Sequence, residues 1–143
     1  MGRFTGRTAL VTGAAQGMGA AVARRIIADG GNVCLVDKDE ALLRSLSSEI
    51  DPDRSLALTA DIGDEGAAED AVLQAVDRFG GLHLVHNNAA ITGPSGPVLG
   101  LSSDDVRAIF DVNFLAAFRF IKEAVPHMRE AGGGAIVNMS SLF

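Results

Sequence analysis

The sequence predicts an α/β fold, in which a doubly wound parallel sheet carries helices on both faces, and three observations support this prediction. Five short apolar runs alternate along the 143 residues with segments of helical spacing. The runs are continuously apolar, which is typical of strands that are buried on both faces of a parallel sheet. Most of the 17 glycines lie in clusters between these segments, where the chain must turn.

The predicted elements up to residue 86 follow from run length and spacing. The strands are four apolar runs at 8–11, 33–36, 55–60 and 82–86. The helices are three segments with apolar residues three or four positions apart, at 17–29, 39–50 and 64–79. The apolar residues on the helix faces are Met18, Val22 and Ile26 in the first helix, Leu42, Leu43, Leu46 and Ile50 in the second, and Ala68, Val72, Val76 and Phe79 in the third.

The remaining elements complete the predicted sheet. A loop rich in glycine and proline covers 91–101, and the Ser-Ser-Asp-Asp motif at 102–105 has the form of a capping box that begins a helix. This helix is predicted to run over 102–129, and the fifth strand follows a glycine triplet at 135–139. Because crossovers between parallel strands are right-handed, the leading topology is a Rossmann-type sheet in the strand order 3-2-1-4-5, formed by one domain over 1–143.

Composition excludes several classes of partner. The chain has 12 Lys and Arg against 18 Asp and Glu, so it lacks the basic surface that nucleic acid or an anionic membrane requires. Its single cysteine, Cys34, forms no internal disulfide and suits a reducing compartment. No apolar run approaches the ~18 residues of a membrane span, and no apolar signal segment begins the chain. We therefore expect a cytoplasmic protein. The histidines lack the spacing of metal ligands.

The segment between the first strand and the first helix has the sequence TGAAQGMG, at 12–19. Its glycines are spaced G-x-x-x-G-x-G, which differs from the G-x-G-x-x-G motif but lies at the same place in the fold. Glycine permits a tight turn and a close approach of the backbone, and a helix N-terminus presents free N–H groups to an anion. The segment therefore predicts a pyrophosphate site, and the alternative is an ordinary turn between strand and helix. The predicted site comprises Gly13, Gln16, Gly17, Met18 and Gly19.

Asp37 ends the second strand, 18 residues after Gly19. In a Rossmann-type sheet this position faces the adenosine ribose, where a carboxylate accepts hydrogen bonds from the 2′- and 3′-hydroxyls. The same charge repels a 2′-phosphate, so the sequence favours NAD over NADP. Lys38 follows directly and weakens that repulsion. The alternative interpretation of Asp37 is a solvated acid at the end of a strand.

These motifs together resemble the short-chain dehydrogenase/reductase family, in register over nearly all of the chain. The family's motifs correspond here to the loop 12–19, Asp61-Ile62, Asn87-Asn88-Ala89-Ala90, Asn113 and Ser140. The resemblance implies that Asp61 and Ile62 border the adenine, that Asn87, Ala89 and Ala90 line the cofactor groove, that Asn113 serves a proton relay, and that Ser140 polarises the substrate oxygen. Ala90 departs from the family's usual glycine.

Each of these residues also has a structural interpretation. Asp61 can cap the helix that begins near 64, and the asparagines can satisfy turn backbone. Asn113 is unfavourable in mid-helix, and its apolar neighbours suggest that it is partly buried. Ser140, with Ser141, can form a simple turn after the strand.

The resemblance implies an NAD(H)-dependent enzyme that oxidises a secondary alcohol or reduces the matching ketone. In the family the serine acts with a Tyr-x-x-x-Lys motif on a later helix, and this chain contains no tyrosine. We therefore expect the chain to be the N-terminal, cofactor-binding part of a longer protein in which the rest of the fold follows Phe143. The alternatives are a dinucleotide-binding module or truncated product without catalysis, and an interaction protein that uses the fold as a scaffold. The family usually forms dimers or tetramers through the helices that correspond to 64–79 and 102–129.

Overall fold

A computed structural model describes residues 2–140 and confirms the predicted sheet. Five parallel strands lie in the order β3-β2-β1-β4-β5. They are β1 (Thr8–Thr12), β2 (Asn32–Asp37), β3 (Ser55–Thr59), β4 (Leu84–Asn87) and β5 (Ala135–Asn138). The helices are α1 (Gly17–Ala28), α2 (Glu40–Ile50), α3 (Ala67–Phe79), α4 (Ser103–Phe110) and α5 (Ala116–Glu130). A 3₁₀ turn, Val98–Gly100, precedes α4, and a π-helical segment, Asp111–Leu115, joins α4 to α5.

The sheet separates two apolar cores, because successive residues of a strand point to opposite faces. Leu10 and Val36 pack on one face against α3 and α5, where Phe120 is fully buried. Val11 and Leu35 pack on the other face against α1 and α2. Burial on both faces explains why the runs in the sequence are continuously apolar.

Capping side chains and a glycine mark the ends of several helices. The Asp39 side chain accepts a hydrogen bond from the backbone N–H of Leu42 at the start of α2. The predicted capping box is present, since Ser102 accepts from Asp105 N and the Asp105 carboxylate accepts from Ser102 N. Gly80 ends α3 in the left-handed conformation, at φ 78°.

Two helix predictions are wrong in their bounds. The third helix begins at Ala67 instead of 64, because Asp64 and Ala67 donate hydrogen bonds to carbonyls three residues back in successive turns. The helix predicted over 102–129 is divided by the π-helical segment, which inserts a wider turn without interrupting the helical course of the chain. Within residues 2–140, no helix is long and apolar enough to cross a bilayer.

Candidate functional site

A cleft lies along the carboxyl edge of the sheet, where β1, β2, β3, β4 and β5 each deliver a loop. It consists of two grooves of about 510 and 360 Å³ that share six lining residues. The first groove is lined by Gly13, Gln16, Met18, Asp37, Lys38, Ala60, Asp61, Ile62, Asn88, Ala89, Ala90, Ile91, Ala108 and Val112. The second is lined by Thr12, Met18, Ile62, Asn87, Asn88, Ala89, Ala90, Val112, Asn113, Ala117, Asn138, Met139 and Ser140. The topology thus brings residues from five strand ends into one cleft, as expected for a doubly wound sheet.

The glycine loop, residues 13–19, leads into the start of α1. Gly13, Gln16 and Met18 of this loop line the cleft, whereas the predicted site residues Gly17 and Gly19 are not among the residues that line the two grooves. Gly13 and Gly17 have φ of 62° and 56°, in the left-handed region that favours glycine. A Cβ on Gly13 would lie 2.8 Å from the Ala89 Cα, and one on Gly19 would lie 2.1 Å from the Gly13 carbonyl oxygen. Two of the glycines are therefore required by close packing, and Gly17 by its conformation.

The N-terminus of α1 opens toward the cleft, since Gln16 and Met18 line it. Among the described residues, the N-cap Gln16 makes no side-chain hydrogen bond to the helix, and the first turn contains no acid. The free N–H groups and the positive end of the helix dipole therefore remain available to an anion. Together with the closely packed glycines, this arrangement fits the pyrophosphate of a dinucleotide.

Asp37 lies at the end of β2 and faces the first groove, half-buried. Its Oδ2 accepts a hydrogen bond from Ala15 N at 3.0 Å, and its Oδ1 accepts one from Asp39 N at 3.1 Å. Lys38, exposed, lines the same groove. The carboxylate and the ammonium group therefore both face the position predicted for the ribose.

Asp61 and Ile62 follow β3 and line the first groove together. Asp61 Oδ1 accepts a hydrogen bond from Gly63 N at 2.9 Å. Helix α3 begins six residues after Asp61 and has Gly66 as its N-cap, so the interpretation of Asp61 as a helix cap is wrong. Arg119 of α5 donates to the Gly63 carbonyl at 3.1 Å and fixes this turn against the helix.

The segment after β4 is bonded to the glycine loop. Asn88 Nδ2 donates to the carbonyls of Thr12 and Gly13 at 3.1 and 3.2 Å. The backbone N–H groups of Asn88 and Ala89 both donate to Thr12 Oγ1. For Asn88, the structural interpretation that it satisfies turn backbone is therefore correct.

Asn87 ties β4 to β5. Its Nδ2 donates to Asn138 Oδ1 at 2.8 Å, and these two residues are the last pair of the two strands. The Oδ1 atoms of Asn87 and Asn88 are buried and have no hydrogen-bond partner within residues 2–140. Buried acceptors of this kind favour a donor in the neighbouring space.

Asn113 lies in the π-helical segment and lines the second groove. Its Oδ1 accepts from Ile91 N at 2.9 Å, and its Nδ2 donates to the Ile91 carbonyl at 2.8 Å. Both polar atoms of the side chain thus hold the start of the 91–101 loop. Asn113 is exposed, so the expectation of partial burial is wrong.

Ser140 follows β5 and lines the second groove together with Asn113. The two predicted catalytic residues therefore line the same groove. Ser141, the other serine of the motif, lies outside the described residues. Cys34 lines neither groove. Burial raises the pKa of its thiol to about 12 and keeps it protonated.

Sequence reasoning missed several residues of the cleft. Thr12 and Asn138 were given no role, although each is a polar residue that ends an apolar strand. Their hydrogen-bond partners lie 51 to 77 residues away in the chain. The polar strand end was the available signal, but only the fold identifies the partner.

Comparisons with known proteins by sequence and by structure point to the same protein family. The family model for short chain dehydrogenase matches residues 7–143. A 2-dehydro-3-deoxy-L-rhamnonate dehydrogenase (NAD(+)) of Sphingomonas sp. (strain SKA58) is 38% identical over 141 residues, which are 99% of this chain and 56% of that protein. An L-fucose dehydrogenase of Rattus norvegicus is 35% identical over 142 residues, covering 99% of this chain and 52% of that protein.

The solved structure of a levodione reductase superposes with a TM-score of 0.90 at 33% identity, over 97% of this chain and 55% of that one. A short-chain dehydrogenase/reductase, glucose/ribitol dehydrogenase, from Brucella melitensis superposes with a TM-score of 0.83 at 31% identity, over 88% and 51%. The chain spans about half the length of the relatives it matches.

Proposed function

Because the chain belongs to the short-chain dehydrogenase family, we propose that it is the dinucleotide-binding part of an oxidoreductase that interconverts a secondary alcohol and the matching ketone. A nicotinamide dinucleotide supplies the hydride acceptor or donor when it is bound, and the protein positions it. The single observation that carries the proposal is the glycine loop at an uncapped helix N-terminus, packed so closely that two of its glycines exclude a Cβ.

Each predicted residue has a role in this proposal. Gly13, Gln16, Gly17, Met18 and Gly19 surround the pyrophosphate, Asp37 holds the ribose, Asp61 and Ile62 border the adenine, and Asn87, Ala89 and Ala90 line the groove toward the nicotinamide. Ser140 donates a hydrogen bond to the substrate oxygen. Asn113 holds Ile91, which lines the first groove, and contributes to the proton relay. The chain contains no tyrosine, so in this proposal the general acid belongs to the rest of the complete protein.

We propose NAD as the preferred cofactor, with NADP bound more weakly. The support is the Asp37 carboxylate, which faces the groove and repels a 2′-phosphate. Lys38 lines the same groove and opposes the preference, so the discrimination is moderate. A cytoplasmic location and a homo-oligomer built on α3, α4 and α5 stay predictions.

The test is a fluorescence titration with NADH and with NADPH. The chain has neither Trp nor Tyr, so the emission of the nicotinamide is observed without interference from those residues. We expect NADH to bind about tenfold more tightly than NADPH, a difference of about 1.4 kcal/mol. Equal affinities would contradict the NAD preference, and binding of neither would contradict dinucleotide binding by this chain.

A second candidate function is dinucleotide binding without catalysis, and the absence of tyrosine favours it for these 143 residues alone. We expect them to bind NADH without producing it from NAD and a secondary alcohol. Formation of NADH, followed by absorbance with a set of cyclic and linear secondary alcohols, would exclude this candidate.

A further inference from the structure

We propose that Asp37 holds the glycine loop in its binding conformation before any ligand arrives, in addition to facing the ribose. Asp37 is then a positioning residue for the pyrophosphate as well as a specificity residue. The consequence for cofactor affinity rests on the proposed dinucleotide function, whereas the loop contact itself does not.

The contact is made by both oxygens of one carboxylate. Asp37 Oδ2 accepts from Ala15 N in the middle of the loop, and Oδ1 accepts from Asp39 N in the turn after β2. Ala14 N also donates to the carbonyl of Val36, so two successive loop residues are bound to the end of β2. Within the described part of the chain, Asp37 is the one side chain that accepts from an N–H of the glycine loop.

The Asn88 hydrogen bonds reach the loop only as far as Gly13, and the Asp37 contact holds the next part of it, at Ala15. Ala15 lies between Gly13 and Gly17, which have the largest conformational freedom of any residue type. The backbone bond of Ala14 lies on one side of Ala15, and the uncapped start of α1 lies on the other. Loss of the Asp37 contact therefore frees the segment that must present its N–H groups to an anion.

The two roles of the carboxylate are compatible. Each oxygen has about two acceptor sites, and one backbone N–H occupies one of them. The half-buried Asp37 thus retains sites for the two ribose hydroxyls. Asparagine has nearly the same shape but only one acceptor atom, so its NH₂ group would face a backbone N–H donor.

A substitution that removes the charge to admit a 2′-phosphate would therefore also loosen the pyrophosphate site. We expect Asp37→Asn to weaken NADH binding without an equal gain for NADPH. Recognition of the adenosine ribose and order of the glycine loop depend on the same side chain.

The first test is amide hydrogen exchange on the ligand-free full chain. We expect Asp37→Asn to accelerate exchange at Ala14 and Ala15, the loop amides that are hydrogen-bonded, about tenfold, as for the loss of one charge-assisted hydrogen bond. The matched control is Asp61→Asn, because Asp61 also lines the cleft and accepts one backbone N–H, from Gly63, but does not touch the glycine loop. Exchange at Ala14 and Ala15 that is equal in wild type and Asp37→Asn would overturn the proposal, while protected amides of β1 report that the variant is folded.

The second test uses inorganic pyrophosphate, which has no ribose and is measured by calorimetry. If Asp37 only anchors the ribose, removal of its negative charge leaves pyrophosphate affinity unchanged or raises it. If Asp37 orders the loop, Asp37→Asn lowers pyrophosphate affinity despite the lost repulsion, and that is the result we expect. If wild type binds neither pyrophosphate nor NADH, this result contradicts the proposed function instead. The exchange measurement would still test the contact between Asp37 and the loop.

Discussion

At the scale of single residues, the three loop glycines serve different physical purposes. Gly17 has a positive φ, but no heavy atom outside its immediate neighbours lies within 4 Å of its hypothetical Cβ in the described structure. Gly19 lies in ordinary helical conformation, and its Cβ would overlap the Gly13 carbonyl oxygen at 2.1 Å. The motif therefore combines conformational requirements at Gly13 and Gly17 with requirements for space at Gly13 and Gly19.

This difference predicts an order of effects for alanine substitution. We expect Gly19→Ala to displace the loop and weaken NADH binding by at least tenfold, with about 1–3 kcal/mol lost from the free energy of unfolding by overpacking. Gly17→Ala should lower the free energy of unfolding by about 1–2 kcal/mol, because alanine is strained in the left-handed conformation. Urea unfolding and NADH titration measure both effects.

The matched control is Gly66→Ala. Gly66 lies outside the cleft, has a negative φ, and has nothing within 4 Å of its hypothetical Cβ among residues 2–140. It should leave NADH affinity unchanged. A Gly19→Ala variant that binds NADH as tightly as Gly66→Ala would contradict the close-packing account.

Met18 provides a residue-scale test of where the cofactor binds. Its side chain is 62% exposed and lines both grooves, whereas Met128 is 5% exposed in the core. Hydrogen peroxide should therefore convert Met18 to the sulfoxide faster than Met128, and saturating NADH should slow the reaction at Met18. Peptide mass spectrometry follows each site, and unchanged oxidation of Met18 under saturating NADH would place the cofactor elsewhere.

At this scale, the sequence predicts only residues whose role follows from their position next to a predicted strand or helix. The glycines and Asp37 follow from their positions after the first and second strands, and Gly13 and Asp37 line the cleft. The hydroxyl of Thr12 accepts from Asn88 and Ala89, and the Asn87 amide bonds Asn138. These pairs were not predictable, because the strand order does not fix the register of the strands or the directions of the side chains at their ends.

At the scale of elements, the π-helical segment shows why one helix was predicted where the structure has three parts. Val106, Phe110, Phe114 and Phe118 recur every four residues, and this spacing continues through the wider turn. The same segment carries Asn113, which bonds Ile91, and α5 carries Arg119, which bonds Gly63. One helical unit therefore fixes the loops after β3 and β4 on both sides of the cleft.

His83, the residue directly before β4, makes a pH-dependent contact. His83 Nδ1 accepts a hydrogen bond from the backbone N–H of Thr8, and an imidazole can accept only where it is unprotonated. Burial, and secondarily the nearby Arg7, lower the pKa of His83 below its ordinary value of 6.5. The neutral form is therefore favoured by folding.

The sign of the resulting pH dependence follows from linkage. A lowered folded pKa gives stability that is fully present above the unfolded pKa, near 6.5, and is lost as pH falls through the folded pKa. We expect the urea midpoint of wild type to fall more steeply between about pH 7.5 and 5 than that of His83→Gln, whose amide oxygen can accept from Thr8 without titrating. Urea midpoints that change with pH to the same extent in the two proteins would show that His83 contributes nothing to this dependence.

At the scale of the whole molecule, the sheet order could be predicted because few topologies satisfy continuous apolar strands, intervening helices and right-handed crossovers. That order is confirmed, and it alone collects the glycine loop, Asp37, Asp61, Asn87 and Ser140 at one edge. The depth of the cleft and the faces that remain open could not be predicted, because they depend on how α4, the π-helical segment and α5 cross the sheet.

One such open face is apolar and lies on the α4–α5 unit. Phe110, Phe114 and Phe118 are 52%, 57% and 56% exposed, and the rings of Phe110 and Phe114 stack at 4.9 Å. Burying a phenylalanine side chain contributes about 1.5–3 kcal/mol, and a two-fold interface counts each residue twice. This face is therefore the part of the proposed homo-oligomer that a single substitution tests best.

We expect Phe114→Glu to raise the dimer dissociation constant at least tenfold, because it replaces apolar contact with two buried charges across the interface. Leu42→Glu is the control, since Leu42 is also an exposed apolar residue but lies on α2, away from α4 and α5. Sedimentation equilibrium over a range of concentrations measures the constants, and the NADH titration of the same samples shows whether the cleft is intact. Association that Phe114→Glu and Leu42→Glu weaken equally would exclude the α4–α5 face, because only contact through that face makes the two substitutions differ.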